Sequence, residues 1–356
     1  MPSNSLFGLW AAVVFSLAAV GPTYGGEEEQ LGMVSIAPSE RLQTIVLGRA
    51  LRKGIVPFTL APILRKNMER QAYYFSGDTP SIISASFRVS PILTYDGNIN
   101  GGLSQNQIDI SGYTFNLDPA YRKKSGLVGG GSAGGEVRVA WSEGRYLSLA
   151  GQAASVWSPR YDIGRSDAAV ALCSKNNLTG WTFADICQTV GQSWRDLGNI
   201  HYQETALQLA QIAELAGNVH EGGLKISEYQ SDDWSQDRLG VSLKSVWDSF
   251  TDEISITYGK AVEGETVPRY ILTGGVSWLS PHNRPWQMDV RFQRAAGGAF
   301  LGEPRVEYTT SFGLSTQLSK QLSFNFDYSR VNSTASYANL DQVSFGFQFR
   351  GKMWSR

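Results

Sequence analysis

The alternation that closes this chain constrains its fold more than any other feature. Leu322, Phe324, Phe326 and Tyr328 alternate with Ser323, Asn325, Asp327 and Ser329. After a polar loop, Val343, Phe345, Phe347 and Phe349 alternate with Ser344, Gly346, Gln348 and Arg350. Successive strand side chains point to opposite faces, so each segment presents one apolar-aromatic face and one polar face. Two architectures accept that pattern. A water-soluble sandwich turns the polar face to solvent, whereas a membrane barrel turns the greasy face to lipid and the polar face to an enclosed lumen.

The same texture begins near Ser81 and persists. Ala85, Phe87, Val89, Pro91, Leu93 and Tyr95 oppose Ser86, Arg88, Ser90 and Thr94. Ile108 and Ile110, opposed by Asp109 and Ser111, read as the start of the next strand. Val137, Val139 and Trp141 face away from Arg138 and Ala140, and the pattern recurs through Trp286–Phe292 and Val306–Leu314. Two observations favour the barrel. The polar faces carry charges of both signs, which suits a wet interior, and the lumen-lining candidates are Arg88, Arg138, Asp289, Arg291, Glu307 and Asp327. Trp and Tyr fall near strand ends (Tyr95, Trp141, Tyr258, Tyr270, Trp278, Trp286), where aromatic girdles meet the membrane boundary. Short turns such as Glu143-Gly144 and Pro281–Arg284 alternate with longer loops such as Val262–Pro268 and Asn332–Leu340. The expected fold is all-β: an antiparallel outer-membrane β-barrel of about 14 strands with a short N-terminal helical segment. His201–Ala216 fits helical spacing as well as alternation, and is read as a strand from its flanks.

The chain divides into residues 1–25, a signal peptide; 26–80, a periplasmic segment; and 81–356, the barrel. Leu6–Val20 is an apolar, Ala-rich run ended by Gly21-Pro22, though the first residues carry no Lys or Arg. Ser39 is an N-cap for a helix to Lys53, stopped by Gly54, and Ile63–Arg70 forms a second. Neither helix buries enough to fold alone, so both are expected to pack against or plug the barrel.

Other constellations point to little chemistry. Gly129–Gly134 has the glycine spacing of a dinucleotide loop but runs into the strand Val137–Trp141, where that motif must open a helix. His201, His220 and His282 are isolated and read as loop or lumen residues, so neither a catalytic group nor a metal or other cofactor is expected. Cys173 and Cys187 flank a turn-like stretch and are read as a disulfide stapling an external hairpin loop. A net charge of -1 gives no electrostatic case for nucleic acid. The partner expected from the pattern is outer-membrane lipid.

Phe87-Arg-Val-Ser-Pro-Ile-Leu-Thr-Tyr-Asp-Gly-Asn-Ile-Asn-Gly101 resembles the first barrel strand and turn of the surface lipoprotein assembly modifier family. Phe326–Ser333, with the strand Val343–Phe349, resembles that family's closing hairpin. The resemblance implies export or surface display of a lipoprotein or other protein client. Ser81–Tyr95 and Val343–Phe349 would then form a lateral seam whose backbone edges template the client. The helical-repeat domain that usually precedes this barrel has no counterpart before Ser81, and no catalytic residue is carried over. The alternative reading is a passive porin or solute channel, with the lumenal charges setting selectivity.

Overall fold

A computed structural model describes residues 33–54, 56–110, 113–247, 249–300, 303–335, 338–349, 351 and 353–355. The signal peptide read over residues 1–25 lies outside them.

The body is one antiparallel meander. Its strands are β1 (Ser81–Asp96), β4 (Gly126–Ser142), β5 (Arg145–Ser158), β6 (Ile163–Thr179), β7 (Thr182–Arg195), β8 (Gly198–Leu215) and β9 (Asn218–Ser231). They continue through β10 (Ser235–Val246), β11 (Phe250–Gly259), β12 (Val267–Leu279), β13 (Pro285–Phe300), β14 (Glu303–Ser319), β15 (Leu322–Ser333) and β16 (Leu340–Phe349). β16 pairs back onto β1, so the ring closes. The sheet has 15 strands, and since β17 (Met353–Ser355) shares one edge of β1 with β16, fourteen form the ring.

Alternating exposure shows which way each strand faces. Along β1, Phe87, Val89 and Leu93 are about half exposed, whereas Ser84, Ser90 and Asp96 are buried. Leu149, Val170, Ile186, Leu207, Ile226, Val241, Ile256, Leu272, Phe292 and Phe345 extend this exposed apolar belt around the ring. So much contiguous apolar surface is untenable in water and is what a bilayer covers. Stacked Trp278 and Trp286 border the belt at one end, and Tyr258 with Tyr270 borders it at the other. The molecule is an outer-membrane barrel. Turns such as residues 143–144, 180–181 and 216–217 cluster at the end that also carries both termini of the ring. That is the periplasmic end by the usual disposition of short turns, and the longer connections lie outside.

His201–Ala216 is strand, as its flanks suggest, because it falls within β8. Ile108 and Ile110 do not begin a barrel strand. They lie in β2 (Gln107–Ile110), which pairs only with β3 (Tyr113–Asn116) inside the loop joining β1 to β4. Four residues alternate correctly but are too short for the roughly 9–11 that a membrane strand needs.

The seam is irregular. β1 pairs with β4 along its whole length, but with β16 only over Ile92–Tyr95 and with β17 over Ser86–Arg88. Between these stretches a Cβ on Gly351 would sit 1.3 Å from the Val89 carbonyl oxygen, so only glycine fits there. Val89 therefore turns its backbone groups to the seam, as does Pro91 two residues on. Proline has no N–H, so a ladder bond is missing where β16 gives way to β17.

Candidate functional site: the barrel lumen

Two chain segments enter the lumen. The first is N-terminal: α1 (Glu40–Arg52) and α2 (Ala61–Arg70). As expected of two helices that bury too little to fold alone, it packs against the barrel and fills part of the periplasmic mouth. The Ser39 hydroxyl caps α1, accepting from the Leu42 amide at 3.1 Å, and donates to Glu221 at 2.5 Å. Glu40 pairs with Arg138 at 2.6 Å and Arg41 with Asp185 at 2.6 Å. Burial works against the Arg41 charge, yet the hydrogen bond and negative charge of Asp185 hold its pKa above the ordinary value. Arg49 reaches Glu214, and Thr251 donates to the Ile36 carbonyl. Ala37 and Leu42 pack on Phe183, Ala210, Ile212, Val219 and Val246. These partners belong to β4 and to β7 through β11.

The second segment is the loop from Gly97 to Ser125, which folds across the outer mouth. Ile99 and Asn100 are fully buried in it. The Asn100 side chain donates to the Arg122 carbonyl at 2.9 Å, and the Asn100 backbone carbonyl accepts from the Leu197 amide between β7 and β8. Lys123 donates to the Asp341 carbonyl, and Ile108 packs on Ala335 and Ala338.

The six lumen candidates all fall on inward positions but do not form one cluster. Arg138 lies under α1, pairing with Glu136 at 2.7 Å as well as with Glu40. Glu307 pairs with Arg305 near the outer rim. Arg88 stands beside Gly134 at mid-height. Asp289 and Asp327 flank Gly313 across β13, β14 and β15. Asp289 accepts from Gln287 at 3.1 Å and Arg291 donates to Gln293 at 2.7 Å. Asp289, Arg291 and Asp327 have no ion-pair partner among the described residues. The wall around them is small and hydroxylated. Ser311 hydrogen-bonds Ser329 at 3.0 Å, and Ser255 bonds Thr273 at 2.6 Å.

Cys173 and Cys187 are disulfide-bonded, but not in an external loop. They are directly paired residues of β6 and β7. They share the inward register with Lys175 and Asp185, whose ion pair lies one step toward the periplasm. β6 simply runs on through the stretch that reads as a turn, to Thr179. The histidines do not converge: His220 faces outward against Trp247, contrary to its reading as loop or lumen, His201 lies beside Asp232, and His282 is in the β12–β13 turn. Sequence reasoning missed Glu40, Arg41, Asp185 and Glu221, and also the outer cluster in which Arg165 bonds Asp96 at 3.1 Å and Asp167 at 2.8 Å. Their inward parity was readable, but their partners are far away along the chain.

No known sequence family matches the chain, and no curated protein does. Solved structures similar to it include Pseudomonas aeruginosa OpdO, at 9% identity and TM-score 0.40, covering 77% of this chain and 97% of that one. Pseudomonas aeruginosa OpdK, solved with vanillate, matches at 8% identity and TM-score 0.42 over 77% and 99%. Acinetobacter baumannii OccAB4 matches at 7% identity and TM-score 0.41 over 79% and 100%. None of these is similar enough to assign this chain a role.

Proposed function

We propose that this barrel is a channel for small polar solutes, with its path running off-centre beside β12–β16. The closed ring carries the reading. Export along a lateral seam needs a free strand edge, and β1 is held along its length by β4 and, on the seam side, over Ile92–Tyr95 by β16 and Ser86–Arg88 by β17. That leaves the lumen as the hydrated route. The bonds and packing that hold α1 come from β4 and β7–β11, whereas the opposite wall offers Thr273, Gly275, Ser311, Gly313 and Ser329 to the interior. Small side chains leave room, and Asp289, Arg291 and Asp327 stand along that wall outside any ion pair among the described residues, Asp327 within the field of Arg165, as charges that a passing ion meets. Purified full-length protein in planar bilayers should give discrete conductance steps and should swell liposomes loaded with small sugars or amino acids. A preparation that is folded yet electrically silent, and that admits no solute, rejects the channel.

A further inference from the structure

We propose that residues 34–71 form a releasable plug, a small body that docks on the periplasmic mouth and leaves it without unfolding. Three observations carry this. First, the segment has its own core: Val34, Leu47, Val56 and Leu60 are buried against one another and against Ile63 and Leu64, with no barrel residue among them. Most short helical segments lean on a host for their core, and this one needs the host for only one face.

Second, three charges at the docking face, Glu40, Arg138 and Asp185, are partnered twice. Glu40 pairs with Arg138 of the wall, but also with Arg70 of its own body at 3.1 Å. Arg138 keeps Glu136, and Asp185 keeps Lys175 at 3.1 Å, when the helix is taken away. Leaving a buried charge without a partner is what makes most buried ion pairs hard to separate. Here Arg138 and Asp185 stay compensated, and separation strands Arg41 and Arg49 of the plug with Glu221 and the half-exposed Glu214 of the wall, all of which then face the water that fills the mouth.

Third, the chain changes allegiance over a few residues, where the Ala72 and Tyr73 amides make the last bonds back to Glu69 and Met68. Gln71 bonds to Thr44 at 2.6 Å and belongs to the plug. Ala72, the next residue, adopts a left-handed backbone (φ 62) and packs on Ala140 and Tyr146 of the wall, while its carbonyl accepts from Gly144. The link between them is the hinge, and Ala72–Phe75 remains as the anchor.

Release would widen the path; that consequence rests on the channel reading, but the release itself does not. The test uses full-length protein in outer-membrane fragments, with a polyethylene-glycol maleimide as probe; the native cysteines are silent because they are bridged. Ala37→Cys reports the docking face and Leu47→Cys reports the plug's own core. Ala37→Cys should label, and Glu40→Gln with Arg41→Gln should speed that labelling about tenfold, while Leu47→Cys stays protected throughout. Protection of Ala37→Cys in both backgrounds overturns the proposal. So does parallel labelling of both positions, which means local unfolding. Conductance of the same variants is read separately: labelling without any conductance sinks the channel and leaves the plug standing.

Discussion

The two halves of the barrel wall use their inward positions in opposite ways. From β4 to β11 the periplasmic half of the lumen is crowded. Arg138, Asp185, Glu221, Phe183 and Ile212 reach inward and meet α1. From β12 to β16 many inward residues are glycine, serine or threonine, and of the charges there Arg305 and Glu307 pair with each other while Asp289, Arg291 and Asp327 join no ion pair among the described residues. The strand geometry is the same on both sides. What differs is whether the side chains are spent on another part of the chain or left to water. One wall is built to hold a segment, the other to leave space.

Substitutions that swap these properties separate the two halves, and the largest effect belongs to the open one. Gly313→Trp places an indole between Asp289 and Asp327, where a Cβ meets nothing closer than 3.5 Å. It should fold normally and reduce single-channel conductance to a small fraction of wild type; an unchanged step size moves the path elsewhere. Next is the crowded half. Arg138→Ala leaves Glu40 and Glu136 to share Arg70 alone around a site whose side chain is 7% exposed. It should cost about 3 kcal/mol in urea unfolding, the scale of breaking a buried pair. Gly351→Ala, at the seam bordering the open half, should cost about 1–3 kcal/mol because the tail must move off Val89. Asp289→Asn with Asp327→Asn should leave stability nearly unchanged and shift the reversal potential in a salt gradient toward anions. The smallest effect is back in the crowded half. Ala216, in the β8–β9 turn, has φ 48, and Ala216→Asn should raise stability by about 0.5 kcal/mol.

Most of the ring was legible because each barrel strand separates two solvents, and that separation is written locally. Val306–Leu314 or Trp286–Phe292 can be recognised without knowing what they pair with. The same locality misled at Ile108 and Ile110, where alternation is correct but the segment is too short to cross. It misled again at Cys173 and Cys187, whose polar surroundings are lumenal, not external. The plug was legible only in part. Ser39 as a cap and the two helices follow from local spacing, but the contact from Ser39 to Glu221 spans 182 residues. Nothing near either residue announces the other. Lumenal parity identified Asp289 and Asp327 as inward, yet not that Gly313 stands between them, since cross-strand register depends on every intervening turn.

The interrupted seam bears on how the molecule is made. Thr94 and Phe345 meet across it although 251 residues separate them in the chain. Every other junction in the ring joins consecutive strands and can zip as a hairpin, but this one must wait for its most distant ends to find each other. The three residues from Met353 to Ser355 cover part of the stretch of β1 that β16 does not reach. A version lacking them would own all fourteen staves and still be a cask with one hoop missing: assembled in outline, slow to seal, and leaky along a single line.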